Sequence, residues 1–397
     1  IAANLFGDRN RVCEILDLPK EHLALKEFFI KAMANPIEPR IVDSGPCQDV
    51  VVTEDIDLLR MFPFIKAGLD DGGRYLQPVM ITKDPETGQR NMGVYRVMAN
   101  EGNRCIVNIR REAGIGMHFE RAERKGEPFP VAIIIGAHPD IYIAGCTKMP
   151  LGSDEVGLAG ALRRRPIDLV KCKTIDLEAP ACASIVIEGY VNPPYDQLPE
   201  GPWPEYLKYL SIPATKPAFD VTAVTYRNDA IHYSIVAGTK ENYFLRISND
   251  ALFYKYMKDR AGDFVEDACL TAGSAYWHHA VLKVRKTDYE KEGMQYNAAL
   301  AAFRFAILID LVILVDDDID IYNFEEIEWA ICTRCNASEQ VHILPEGKGH
   351  RNVPIIGVHD QLGAENRRMR RAKWIIDATV PFHLKQASQQ GVKLFNR

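Results

Sequence analysis

The sequence predicts a mixed α/β fold of the α+β kind, on three observations. A helical lead-in opens the chain, short β-rich runs dominate from residue 48 to about 230, and helices then alternate with buried strands. The length of 397 residues, 47% of them hydrophobic, supports a large core and two or three domains.

Residues 9–34 carry helical spacing of apolar positions, broken once at Pro19, and Pro36 with Pro39 stop the helix. The runs DVVVTE, QPVMIT, GVYRVM, CIVNIR, PVAIIIG, SIVIEGYV and FDVTAVTYR follow, punctuated by Gly, Pro and Asp. Two helical stretches interrupt them, near 116–125 and 154–163. This composition suggests a barrel or a folded sheet. Beyond residue 230, QYNAALAAFRFAI, LVILVDDDID and FEEIEWAI show the β/α rhythm of a layered domain.

Composition excludes several function classes. The charge of −6 arises from 54 acids against 48 bases spread along the chain, which gives no basic stripe for nucleic acid. The apolar runs VAIIIGA and AILIDLVILV fall short of the roughly 20 residues that span a bilayer. Nine cysteines without disulfide-framework spacing indicate a reducing, cytoplasmic setting. Cys332 and Cys335 form the one close pair, and no second pair completes a zinc knuckle. The chain opens without Met, so upstream residues are expected to be missing.

Four stretches carry candidate chemistry. DDDID at 316–320 follows an apolar strand, where it reads either as a DxD metal site of a glycosyltransferase or as a strand end with an acidic helix start. Trp277-His278-His279 invites a metal, although neighbours on a strand point to opposite faces, which favours a structural role. NMGVYR at 91–96 offers an amide oxygen for a hard cation (Asn91), a backbone that tolerates close approach (Gly93) and a guanidinium for a carboxylate (Arg96). EGPWPE at 200–205 holds Glu200 and Glu205 between two prolines, a rigidity that a solvated loop does not need.

Read with His118 in GMHFERAE and Glu155 in GSDEVGLAGAL, these residues resemble the UbiD-type decarboxylases, the family that uses prenylated FMN. The similarity runs in order through TEDIDLL, DGGRYL, NMGVYR, GMHFERAERKGEPFPVAIIIGAHP, PLGSDEVGLAGAL, IVIEGYV, EGPWPEY, VILVDDDID, WAICTR and IIDATVPF, nearly the whole chain. It implies a central split β-barrel flavin-binding domain with a C-terminal layered α/β domain. The expected boundaries are 1–46 for the remainder of an N-terminal region, 47–230 for the flavin-binding domain and 231–397 for the C-terminal domain.

The resemblance implies a catalytic Glu-Arg-Glu network of Arg96, Glu200 and Glu205. It implies a divalent ion, Mn²⁺ or Mg²⁺, on Asn91, His118 and Glu155 and bridging to the flavin phosphate, with K⁺ as a possible further ion. Gly93, Val94, Tyr95 and Met117 are expected to line the flavin with Asn91, Arg96 and His118. Lys373, in RRMRRAKWIID, matches a phosphate-binding lysine of the family, although such a basic run equally suits a solvated face. The implied reaction is the reversible, non-oxidative decarboxylation of an α,β-unsaturated or (hetero)aromatic acid, with a flavin prenyltransferase as cofactor supplier and a homo-oligomeric assembly. Trp203-Pro204 stands where the family usually shows Phe-Gly, Met117 where relatives often carry Gln, and Ser184 where they commonly have Glu. A non-catalytic or scaffold subunit of a larger carboxylase is the alternative that these departures keep open.

Overall fold

The computed structural model describes residues 1–111, 114–150, 152–348 and 370–388. The chain divides into two compact units, Ile1–Ser248 and Asn249–Arg397.

In the first unit, helices Arg9–Ile15 and His22–Ala34 form the lead-in, with Asp8 and Glu21 accepting first-turn N–H groups at their N-caps. The centre is a ten-stranded sheet whose main path runs Tyr75–Leu76, Val97–Ala99, Arg104–Val107, Ala214–Tyr226, Ile185–Val191, Phe129–Ile135, Val79–Lys83, Arg90–Val94. The first and last strand pairs of that path are joined by two-residue connections, Leu76 to Val79 and Val94 to Val97. Connections that short force the ends together, so the sheet curls into a split barrel with Tyr95 and Arg96 at its seam.

The strand Phe129–Ile135 reads as a continuous apolar run because nearly every residue in it is buried, on both faces. Val131, Ile133 and Ile135 enter the main core, where helix Gly114–Lys125 lays Ile115, Phe119 and Ala122 on them at helical spacing. Helix Glu155–Arg163 is capped by Asp154, which accepts from Val156 N at 2.9 Å. The expected helices near 116–125 and 154–163 are therefore present. A further helix, Pro139–Cys146, has no place in that expectation because it is buried on nearly all sides and carries no amphipathic stripe.

The second unit holds a five-stranded sheet ordered Val265–Leu270, His279–Val284, Leu311–Asp316, Arg370–Ala378, Val341–Lys348, with its three central strands parallel and both edges antiparallel. Helices Met294–Phe305 and Phe324–Arg334 alternate with these strands, and Ile327 and Ala330 pack on Ile313, Val315 and Ile376. This is the layered α/β arrangement expected from the sequence. Among the described residues no helix is long and apolar enough to cross a membrane.

Three of the four acids of DDDID are tied into ion pairs, and the fourth, Asp320, accepts from Tyr322 N at 2.9 Å. Arg334 meets Asp316 at 3.2 Å and Asp318 at 2.6 Å, Lys385 meets Asp316 at 2.5 Å, and Asp317 lies 3.3 Å from Arg285. The arrangement leaves no acid pair open for a nucleotide-sugar metal. His278 precedes its strand instead of lying within it, and its Nδ1 stands 3.4 Å from Asp310, whereas His279 opens the strand with Nδ1 3.3 Å from Thr271. The two rings thus have separate partners.

Candidate active site

Arg96 follows the strand Arg90–Val94 at the seam, and not within a strand as simple alternation supposed. Its Nε and Nη2 donate to the two oxygens of Glu200 at 2.7 and 2.8 Å, while Nη1 donates to Glu205 Oε1 at 2.8 Å. Glu200 is 1% exposed and ends the strand Gln197–Glu200, so this bidentate pair is fixed by the sheet. Glu205 is 16% exposed and rides on a loop. Burial alone would lower the Arg96 pKa, but the bonds to Glu200, reinforced by Glu205, raise it, so the guanidinium is permanently charged.

The EGPWPE stretch opens a hairpin-like lobe. Trp203 N donates to Ser211 Oγ at 3.0 Å, Ser211 N returns to Trp203 O at 2.7 Å, and Glu205 N donates to Tyr209 O at 2.7 Å. Trp203 is buried, with the Arg96 guanidinium 5.7 Å from its ring centroid. The Tyr75 ring also stands edge-on to Trp203, with ring centroids 4.4 Å apart. The Tyr75 hydroxyl accepts from Gly201 N at 3.1 Å and donates to Pro202 O at 3.4 Å. Gly72 must be glycine, because a Cβ there would lie 1.9 Å from Gly201 O.

Asn91, His118 and Glu155 gather around one strand. Asn91 is the cross-strand partner of Thr82, and Thr82 Oγ1 is 3.0 Å from His118 Nδ1. The neighbouring Met92 N donates to Glu155 Oε2 at 2.9 Å. Asn91 also meets the helix of His118, since a Cβ on Gly114 would fall 1.9 Å from Asn91 Oδ1. His118 occupies the second turn of that helix and is buried. Burial lowers its pKa and favours the neutral ring, and with Nδ1 on Thr82 the Nε2 atom is the one that could meet a ligand. Burial pushes the Glu155 carboxyl up to about 7.

This donor set fits a divalent cation. Glu155 is a half-buried carboxylate with no basic group beside it, Asn91 brings an amide oxygen, and the imidazole is neutral. Among the described residues no group of three or more His, Cys, Asp or Glu could hold a metal, so an ion here needs the amide of Asn91 and oxygens from outside the protein. Gly93 and Val94 lie on the same strand, and the space of a Gly93 Cβ is taken by the Tyr95 ring at 2.6 Å, so the close approach that glycine permits here is to that ring. Met117, half-buried, precedes His118 on its helix.

Lys373 belongs to the second unit. Its ammonium donates to Ile307 O at 2.9 Å and to Ile309 O, lies 3.9 Å from Asp310, and has its pKa lowered by burial. Residues 367–369 of the basic run lie outside the described residues. The first unit thus brings together Arg96 with Glu200 and Glu205, and Asn91 with His118 and Glu155. Tyr75 and Thr82 were missed as site residues, and the one signal for Tyr75 was its place in DGGRYL, next to the glycines that admit the turn at 201.

Comparison with known proteins places these features in a common frame. Residues 40–240 match the model of the 3-octaprenyl-4-hydroxybenzoate carboxy-lyase Rift-related domain, and residues 242–378 match that of its C-terminal domain. Among solved structures, the UbiD-class enzyme HmfF from Pelotomaculum thermopropionicum in complex with FMN is 32% identical with a TM-score of 0.89, covering 100% of this chain and 85% of that one. Klebsiella pneumoniae 3,4-dihydroxybenzoic acid decarboxylase (AroY) is 26% identical with a TM-score of 0.89, covering 99% and 86%. The anhydromevalonate phosphate decarboxylase of Methanothermobacter thermautotrophicus is 29% identical over 81% of this chain and 74% of its own length. An uncharacterized Archaeoglobus fulgidus protein is 31% identical over 77% of this chain, which spans 63% of that protein's length. With both domain models matched in sequence and the split barrel and α/β unit matched in structure, the chain belongs to the UbiD family of carboxy-lyases.

Proposed function

We propose that the protein is a reversible, non-oxidative decarboxylase of an α,β-unsaturated or (hetero)aromatic carboxylic acid, working with prenylated FMN and a divalent ion, Mn²⁺ or Mg²⁺. The observation that carries this reading is the geometry of Arg96, held bidentately by Glu200 and singly by Glu205. Support for the flavin comes from HmfF, solved with FMN and, in an evolved dimeric form, with prFMN. Self-association of this chain and supply of its cofactor by a flavin prenyltransferase belong to the same reading.

Asn91, His118 and Glu155 would hold the ion, with Gly93, Val94, Tyr95 and Met117 against the flavin. When bound, the prenylated flavin supplies the sink for the electron pair left on the sp² carbon, which no side chain can delocalise. The protein's residues do the rest. Arg96 orients the substrate carboxylate, and Glu200 fixes Arg96 so that no reorganisation is needed in the transition state. As the C–C bond breaks, CO₂ departs with the carboxylate oxygens and the ring or alkene carbon keeps the electron pair. Glu205 Oε1 is held by Arg96 Nη1, which leaves Oε2 to deliver a proton to that carbon and recover one from water.

The decisive experiment is co-expression with a flavin prenyltransferase, followed by mass and absorbance spectra of the bound cofactor and CO₂ release from a panel of unsaturated and aromatic acids. A cofactor-loaded chain inert toward every acid, yet activating a partner subunit, would favour the scaffold reading instead.

A further inference from the structure

We infer that Tyr75 is a positioning residue that sets Glu205 on Arg96, an inference that rests on the catalytic reading above. Glu205 is separated from the rigid Glu200 by the Gly201-Pro202-Trp203-Pro204 segment, so its place depends on how that segment is held. Tyr75 touches it at three points. Its hydroxyl takes the Gly201 N–H at 3.1 Å, gives its proton to Pro202 O at 3.4 Å, and its ring packs edge-on against Trp203 at 4.4 Å.

Tyr75 is itself immobile. It is 2% exposed, and its own N and O are paired with Ile65 at 2.7 and 3.0 Å. Gly72 N adds a second donor to Pro202 O at 2.8 Å, so the segment between the two glutamates is bound to the 65–76 region through three hydrogen bonds. Trp203 passes the constraint to the site, because the Arg96 guanidinium lies 5.7 Å from its ring centroid. Burial, reinforced by the Glu200 charge, pushes the phenol up to about 12, so the hydroxyl stays a donor throughout the working range.

Removing the hydroxyl leaves Gly201 N–H without its partner and loosens the segment, which keeps only the Gly72 N–H bond to Pro202 O from that region. Arg96 keeps Glu200 through two bonds and still binds a carboxylate, but Glu205 Oε2 no longer rests where the proton is needed. A misplacement of about 1 Å can lower a rate on the order of 10²-fold.

Tyr142 supplies the control, being 1% exposed with a hydroxyl that accepts Gly136 N–H at 3.0 Å outside this segment. In cofactor-loaded protein, Tyr75→Phe is expected to lower kcat about 10-fold or more with KM within about 2-fold, whereas Tyr142→Phe loses comparable stability with kcat unchanged. In cofactor-free protein, Tyr75→Phe is expected to weaken the Trp203 contribution to near-ultraviolet circular dichroism, identified by its loss in Trp203→Phe. Equal kcat in Tyr75→Phe and Tyr142→Phe would make Tyr75 an ordinary core residue and overturn the inference. Should Tyr75→Phe not fold, Ser211→Ala, which releases Trp203 N from the same lobe, must show the kcat loss, and a wild-type kcat there overturns it equally. If Arg96→Ala and Glu205→Gln both retain turnover, the catalytic reading itself is what fails, and Tyr75 then has nothing to position.

Discussion

Each unit contains an arginine set between two carboxylates, and the two differ in what completes them. In the first unit Arg96 carries one positive charge against Glu200 and Glu205, a net of −1. In the second, Arg334 and Lys385 face Asp316 and Asp318, a net of 0. The balanced group has every charge answered inside the protein, which is what a buried ion-pair network needs in order to stand. The unbalanced group keeps one carboxylate in excess, 16% exposed and on a loop, where it can take up a proton or meet a ligand. Charge left over, more than charge gathered, is what separates these two clusters.

The comparison is tested most severely by matched carboxyl-to-amide changes. Glu205→Gln should retain cofactor and lower turnover by about 10²–10⁴-fold, the usual share of general acid catalysis, while Asp318→Asn should leave kcat near wild type. Equal losses in the two would erase the distinction. Arg334→Ala strips the balanced group of its centre and is expected to destabilise the protein by about 3–5 kcal/mol, read as an earlier urea midpoint.

A smaller effect concerns pH, and its sign differs between the units. The Glu155 carboxyl, raised to about 7 by burial, binds a proton more readily folded than unfolded, where its value is 4.5. Its contribution is present below pH 4.5 and is lost as pH rises toward 7, roughly 3 kcal/mol across that window in metal-free protein. His279, held down to about 4 by burial against 6.5 unfolded, contributes above pH 6.5 and loses this as pH falls toward 4. Urea titrations across pH 4–8 should therefore lose the fall in stability between pH 4.5 and 7 in Glu155→Gln and the rise between pH 4 and 6.5 in His279→Asn. The smallest expected change is in Thr82→Val, which removes the oxygen that fixes His118 Nδ1. Metal retention against chelator should weaken by about 10-fold with unfolding little changed.

Much of this was legible in the sequence where the informative residues lie close together. Glu200 and Glu205 share one six-residue stretch whose prolines announce a held loop, and Asn91 with Arg96 share another. Strand runs such as PVAIIIG and the helix of FEEIEWAI carry their periodicity locally. What lay hidden depends on partners far away in the chain. Tyr75 acts on Gly201 across 126 positions, and Thr82 on His118 across 36. The DDDID acids looked open because Arg334 lies 18 residues beyond Asp316, on the far side of a helix, and Lys385 farther still. Lys373 shows the limit from the other direction, since a basic run cannot disclose that its ammonium is bonded to the carbonyls of Ile307 and Ile309.

The two-residue connection that places Arg96 at the barrel seam has a kinetic consequence. Arg96 meets Glu200 and Glu205 across 104 and 109 residues of chain, with most strands of the sheet lying between them in sequence. Contacts this distant are slow to form, because the loop must close before any contact rewards it. The reactive group is consequently assembled late in folding. A chain with every strand paired but the loop of Glu205 not yet docked on Arg96 would show native secondary structure and no turnover, so recovery of activity after dilution from urea should lag recovery of the far-ultraviolet signal.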